Sequence, residues 1–244
     1  MASSLYSVVH EGGHALYELH VGRELSRTCL GGGVSMAIHE SQSRFYENII
    51  GRSRAFCGVI YPWLREHFAP RLDDVSPEDF YRMINKAQPS LIRTEADELT
   101  YCLHIMVRYE LERRMFAGEL TAHDLPAQWN RLYKAYLGVD VPNDREGILQ
   151  DSHWANGNIG YFPSYAIGSA YGAQYLRQLQ KDFDVSAAVA TGRLTQINRW
   201  LEEKIWKYGC MKDPTPLFES VCGPFDPTCY TAYLRDKFTE VYGL

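Results

Sequence analysis

The sequence predicts an all-α protein with at most one small β element. Three observations carry that expectation. Apolar residues recur at three- and four-residue spacing in segment after segment of the 244 residues, as in helices that bury one face. Ser, Asp, Pro and Gly stand at the ends of those segments, where helices start and stop. Alternation of the strand type is confined to Val34-Ser-Met-Ala-Ile38, which could form an edge strand beside a substrate.

The elements follow in chain order. Leu5, Val8, Val9, Ala15, Leu16 and Leu19 make an apolar stripe on a first helix. Gly31-Gly32-Gly33 reads as a tight turn, after which a second helical pattern runs over 38–50. Residues 43–68 read as one long helix, bent near Pro62. Ser76 opens the next, with Pro77 at its first position and Glu78-Asp79 in its first turn. An amphipathic stretch over 95–117 ends at Gly118, and another over 125–137 ends at Gly138. Segments over 163–179, 185–191, 194–208 and 230–242 complete the set. No internal repeat, low-complexity stretch or flexible linker is present, so residues 1–244 read as a single helical domain.

Composition narrows the function classes. A formal charge of -5 without a basic block argues against nucleic acid as a partner, and no apolar run approaches a membrane span. The first residues lack the charged leader, apolar core and cleavage site of a secretory signal, so a cytoplasmic location is expected. The six cysteines include no short metal-binding pair and are expected to be reduced thiols. Cys222 and Cys229 could pair across the turn between them in an oxidising compartment.

His10-Glu11-Gly12-Gly13-His14 carries the strongest chemical signal. Histidines four residues apart lie on one helix face, where two imidazole nitrogens reach a single ion. Glu11 then sits beside the metal, placed to take a proton from water as it attacks a carbonyl. Gly12 and Gly13 each weaken the helix by about 1 kcal/mol relative to Ala, which suits a crowded site that another segment or a substrate backbone approaches. A catalytic zinc needs a third protein ligand. Glu40 is the best candidate, because a helix, a tight turn and a second helix return it toward His14. The plainer alternative makes Glu40 an exposed carboxylate at a helix start, and His39 is a rival ligand that should point elsewhere.

The chain resembles the carboxypeptidase Taq family, also called thermostable carboxypeptidase 1. The resemblance rests on His10-Glu-Gly-Gly-His-Ala-Leu-Tyr-Glu18, Gly33-Val-Ser-Met-Ala-Ile-His-Glu-Ser-Gln-Ser-Arg44, Ile92-Arg-Thr-Glu-Ala-Asp-Glu98, Gly147-Ile-Leu-Gln-Asp-Ser-His-Trp154 and Gly160-Tyr-Phe-Pro-Ser-Tyr-Ala-Ile-Gly168, in that order. Trp200-Leu-Glu-Glu203 and Tyr233-Leu-Arg-Asp-Lys-Phe238 extend it toward the end of the chain.

The resemblance implies a helical, zincin-like metallopeptidase fold. It implies zinc, or another divalent ion such as cobalt, on His10, His14 and Glu40, with Glu11 as general base. It also implies that Arg93 grips the free C-terminal carboxylate of a peptide, since a guanidinium forks onto a carboxylate with two charge-assisted hydrogen bonds. The alternative for Arg93 is a pair with Glu95, Asp97 or another local acid. Tyr165, or else Tyr161, is expected to donate to the oxyanion of the tetrahedral intermediate, against a background of 17 tyrosines that mostly pack. Asp151 and His153 either orient groups that touch the metal or substrate, or belong to a buried network.

Family members are about twice this length, so the chain resembles their C-terminal half. The half without a counterpart covers the active-site groove and carries an Asp-x-Arg-x-Thr motif that is absent here. The chain then reads as a truncated product, an excised fragment or one piece of a split enzyme, with a homodimer partner or the missing N-terminal half expected. Three functions follow: a zinc carboxypeptidase acting on peptides, a zinc-binding remnant with little turnover, or a different zinc hydrolase sharing only the ligand set. Arg93 separates the third from the first, because a fixed carboxylate clamp serves only cleavage at a C-terminus.

Overall fold

The computed structural model describes residues 2–244, and every described element is helical. The chain forms two compact units, Met1–Asn85 with Ile167–Leu244, and Lys86–Ala166.

The first unit is built around a short central helix. α1 (Ala2–Leu19) lies against α2 (Met36–Arg44). Ser35 starts α2 from an extended backbone, and its side chain accepts the Ile38 N–H. Residues 34–38 are therefore a cap and a first helical turn, where the apolar alternation suggested an edge strand. Hydroxyl capping satisfies one of the donors a helix start leaves unpaired, and it outweighs a five-residue alternation that has no neighbouring strand.

The long helix expected over 43–68 is interrupted. A π-helical turn, Phe45–Ile50, follows α2, and the backbone then breaks at Gly51-Arg52-Ser53. Ser53 caps α3 (Arg54–His67) by accepting the Phe56 N–H, and α3 runs on through Pro62. The break thus falls at a serine cap and not at the proline. α4 (Pro77–Ile84) has the Ser76 cap and leading proline read from the sequence. Cys57, Tyr61, Leu64, Leu72, Phe80, Tyr81 and Val241 form an apolar core in this unit.

The second unit contains α5 (Tyr101–Phe116) and α6 (Leu125–Leu137). α5 starts later than the periodicity implied, because residues 93–95 form a separate 3-10 turn ahead of it. α6 ends at Gly138, whose φ of 72° closes the helix in the left-handed region open to glycine. Val107, Leu111, Trp129, Leu132, Tyr133 and Leu137 pack between the two helices.

α7 (Pro163–Asp182) begins at the end of that unit, and its residues from Ile167 onward belong to the first. α8 (Val185–Ala190), α9 (Leu194–Lys204), α10 (Pro214–Cys222) and α11 (Thr228–Tyr242) follow. Sequence periodicity missed α10, a nine-residue helix whose first turn, Pro214-Thr-Pro216, has the composition of a loop. Proline in a first helical turn costs no hydrogen bond, which is why the helix forms.

Candidate metal centre

The first unit brings His10, His14 and Glu40 together. One ligand atom from each lies within 4.8 Å of the others. Both histidines stand on α1, and Glu40 comes from α2. Two glycines make the approach possible. A Cβ on Gly13 would lie 2.6 Å from Ser43 Cα and 2.7 Å from Gln42 O, so α1 contacts the backbone of α2 directly. On the other side, a Cβ on Gly168 would lie 2.6 Å from Glu40 Cβ. α2 is clasped between α1 and α7 at the level of Glu40. Gly12 has open space instead, with nothing within 4 Å of an added Cβ.

The clasped segment is polar and buried. Glu40, Ser41, Gln42 and Ser43 are all inaccessible, with Glu40 only 2 % exposed. Each finds partners, as buried polar groups must. Trp206 Nε1 donates to Gln42 Oε1 at 2.8 Å, Gln42 Nε2 donates to Ser41 Oγ at 2.8 Å, and Ser43 Oγ donates to Glu40 Oε2 at 3.1 Å. Burial pushes the Glu40 carboxyl pKa up, opposed by His10, Arg44 and the Ser43 hydroxyl.

Both imidazoles turn Nε2 toward this carboxylate. His10 Nε2 is 3.7 Å from Glu40 Oε2, and His14 Nε2 is 3.9 Å from Glu40 Oε1. Four ligands at about 2.0–2.1 Å from one ion stand about 3.3–3.4 Å apart, so the two imidazole–carboxylate distances lie within about 0.5 Å of the spacing a metal requires. The Nδ1 atoms are already engaged. His10 Nδ1 meets Glu47 Oε2 at 2.9 Å, and His14 Nδ1 meets His39 Nδ1 at 2.8 Å. Partners of this kind orient metal-binding imidazoles. Burial, followed by the neighbouring His10, His39 and Arg44, lowers the His14 pKa to about 4, so the ring is neutral and its lone pair available at pH 7. Burial alone would raise the Glu47 pKa, yet Arg44, His10 and Arg52 bring it to about 2 and keep the carboxylate charged.

His39 lies outside the ligand set, as its position next to Glu40 suggested. Glu11 is exposed on α1 beside His10. Neither Glu47 nor Glu18, the partner of His39, was singled out in the sequence. Glu47 follows Glu40 by seven residues, two helical turns along the same face, and that spacing is the signal that could have found it.

Arg93 belongs to the second unit and is 6 % exposed. Its Nε and Nη2 donate to Asp151 Oδ1 at 2.9 and 2.7 Å, and its Nη1 donates to the Tyr101 hydroxyl at 2.9 Å. The local acid is thus Asp151, 58 residues along the chain, and neither Glu95 nor Asp97. Arg108, fully buried, donates from Nε to the other carboxylate oxygen at 2.7 Å. Burial would raise the Asp151 pKa, but Arg108 and Arg93 hold it below the usual carboxylate range. Gln150 Oε1 accepts from the Arg93 backbone N–H at 2.8 Å and from Arg108 Nη2 at 2.9 Å. The Tyr165 hydroxyl is 3.1 Å from His153 Nε2, and its ring lies 4.9 Å from the Arg93 guanidinium. Tyr161 packs on Tyr165 and His153 at ring-centroid distances of 5.3 and 5.4 Å.

A family model described as Carboxypeptidase Taq (M32) metallopeptidase matches residues 1–238. The chain belongs to the M32 metallopeptidase family. Carboxypeptidase 1 of Bacillus subtilis is 43% identical over 242 residues, and thermostable carboxypeptidase 1 of Pyrococcus furiosus is 44% identical over 237 residues. Those matches take in 98% and 96% of this chain but 48% and 47% of the relatives. The chain therefore spans about half the length of the curated M32 relatives it matches. Among solved structures, the M32 carboxypeptidase from Deinococcus radiodurans R1 aligns with a TM-score of 0.95 at 43% identity, over 98% of this chain and 49% of that one. Trypanosoma cruzi metallocarboxypeptidase 1 aligns at 0.91 and 36% identity, over 99% and 50%. The helical M32 fold is thereby shared. Among the described residues, no helix is long and apolar enough to cross a membrane, and the six cysteines are free thiols.

Proposed function

We propose that this chain carries the metal centre of a zinc carboxypeptidase that removes C-terminal residues from peptides. One observation carries the reading: His10 Nε2, His14 Nε2 and the Glu40 carboxylate converge in an M32 chain. Two imidazoles and a carboxylate suit zinc with one position left open, and cobalt could take its place. Bound there, zinc supplies a Lewis acid and lowers the pKa of water.

The protein groups divide the remaining work. Glu11, next to His10, takes the proton of the attacking water and passes it to the leaving amine. Glu47 and His39 hold the imidazoles, while Ser43 holds Glu40. Tyr165, or else Tyr161, donates to the developing oxyanion. Arg93 binds the substrate carboxylate through donors that Asp151 and Tyr101 do not occupy, with Asp151 fixing the plane of the guanidinium. Peptides are the substrate. A second copy of the chain, or the region its relatives carry beyond the matched half, is the partner. A cytoplasmic setting, where thiols stay reduced, suits the six free cysteines.

The half-length match to the curated relatives favours one alternative, a zinc-binding protein with little turnover alone. Metal analysis coupled to hydrolysis of a blocked dipeptide with a free C-terminus separates the two readings. One zinc per chain with cleavage is expected of the enzyme, and zinc without cleavage of the binding protein. Arg93→Ala should leave zinc content unchanged and lower catalytic efficiency about thirty- to several-hundredfold, about 2–4 kcal/mol, through loss of a charge-assisted contact. Undiminished cleavage of the free-acid substrate would place the clamp elsewhere.

A further inference from the structure

Beyond the three ligands, a chain of hydrogen bonds leads from His14 to the protein surface. His14 Nδ1 is 2.8 Å from His39 Nδ1, His39 Nε2 is 2.6 Å from Glu18 Oε1, and the Gly33 N–H donates to the same oxygen at 2.9 Å. We propose that Glu18 and His39 act together as a positioning relay that fixes the tautomer of His14 and presents its Nε2 to the ion. The inference rests on the reading of His14 as a metal ligand.

Proton bookkeeping gives the relay a direction. A neutral imidazole that offers its Nε2 lone pair must carry its proton on Nδ1. His14 therefore donates from Nδ1, and the acceptor in reach is Nδ1 of His39. A neutral His39 that accepts there carries its own proton on Nε2, which points at Glu18. A carboxylate only accepts, so the terminal group determines both tautomers. With the two protons reversed, His39 would donate to His14, and the Nε2 that faces Glu40 would carry a proton instead of a lone pair.

The glycine turn belongs to this device. A Cβ on Gly33 would lie 2.4 Å from His39 Cδ2 and 2.5 Å from its Nε2, where it would displace the ring from Glu18. That Cβ would also lie 2.9 Å from Cε1 of Tyr17, which packs beside His39. The Tyr17 ring centroid is 4.9 Å from that of His39, and its hydroxyl accepts the Val34 N–H at 3.2 Å. The two ligand histidines are thus held differently. His10 meets a carboxylate, Glu47, directly, whereas His14 reaches one only through a second imidazole. The outermost member, Glu18, is 49% exposed and can be changed without opening the core.

Zinc affinity measured by chelator competition, together with nitrogen-15 histidine NMR of the zinc-loaded protein, tests the relay. Glu18→Ala and His39→Ala should each weaken zinc binding about ten- to hundredfold. Glu18→Gln keeps an acceptor oxygen and should weaken it less. In the loaded parent, the proton should reside on Nδ1 of His14 and on Nε2 of His39. The His39 preference should disappear in Glu18→Ala, a signature that loss of packing alone would not produce. Parental affinity in Glu18→Ala, or a proton on Nδ1 of His39 in the loaded parent, would overturn the relay while leaving the ligand set intact. Tight stoichiometric zinc in His14→Ala would instead remove the ligand assignment on which the relay rests.

Discussion

Glu40 is buried where a carboxylate is costly, and the two imidazoles that face it stand at 3.7 and 3.9 Å. An ion at that point offsets the cost, so binding and stability should be linked. Zinc at about a hundredfold excess over its Kd should stabilise the fold by about 2.7 kcal/mol, seen as a rise in Tm that a chelator reverses. His14→Ala should lose that rise, because two ligands hold zinc poorly. Glu11→Gln should keep it while hydrolysis falls about a hundredfold or more, and equal hydrolysis would remove Glu11 from the reaction. Asp151 provides a prediction in pH. Its folded-state pKa is depressed, so the stability it contributes is present above the unfolded Asp value of about 3.9 and is lost as pH falls through the lower folded value. Acid unfolding monitored by circular dichroism should show this loss in the parent. Asp151→Asn should lack it and be about 3–5 kcal/mol less stable at pH 7, because it leaves Arg108 buried without its charge partner. At this scale the sequence revealed chemistry better than support. His10, His14 and Glu40 follow from helical spacing and a turn. Asp151 as the partner of Arg93, and Glu18 behind His39, depend on hydrogen bonds that no local pattern encodes.

Helices were legible where capping and periodicity agreed. α4 and α6 begin and end where Ser76, Pro77 and Gly138 indicate, because local chemistry alone decides those ends. Periodicity ran past the break at 51–53 and gave residues 34–38 to a strand, since each apolar pattern was read without the cap that overrides it. The adjacent glycines of α1 show the limit most clearly. Sequence reasoning treated Gly12 and Gly13 alike, yet only Gly13 meets the backbone of α2. Gly12→Ala should stabilise the protein by up to about 1 kcal/mol through helix propensity. Gly13→Ala and Gly168→Ala should each destabilise it by about 1–3 kcal/mol through overpacking. Both of the latter should also weaken zinc binding, because they push on the segment that carries Glu40. Urea titrations of the three variants, with and without zinc, measure the two effects. A stable Gly13→Ala protein with parental zinc affinity would show that α1 and α2 can separate without moving the ligands.

Across the whole molecule, the candidate metal ligands and the groups that hold them lie in one compact unit, between residues 10 and 47 of the chain. The family was legible because its motifs occur in order along nearly the full sequence, and the match over residues 1–238 agrees. Division into two units was not legible, since no composition shift or linker marks residues 85–86 or 166–167. Metal binding asks only that the first unit fold. Turnover asks more, because the substrate must be held at near-attack distance and water excluded around the intermediate. The curated relatives carry about as many residues again as this chain matches. The family resemblance implies that this unmatched portion lies on the N-terminal side. The chain alone should therefore bind zinc at full stoichiometry and hydrolyse a blocked dipeptide far more slowly than a full-length relative. Adding the N-terminal portion of that relative in trans should raise the rate without changing the zinc content. Steady-state rates for the chain alone, the mixture and the relative make the comparison. Rates from the chain alone that equal those of the relative would show that one half of the M32 architecture suffices for catalysis.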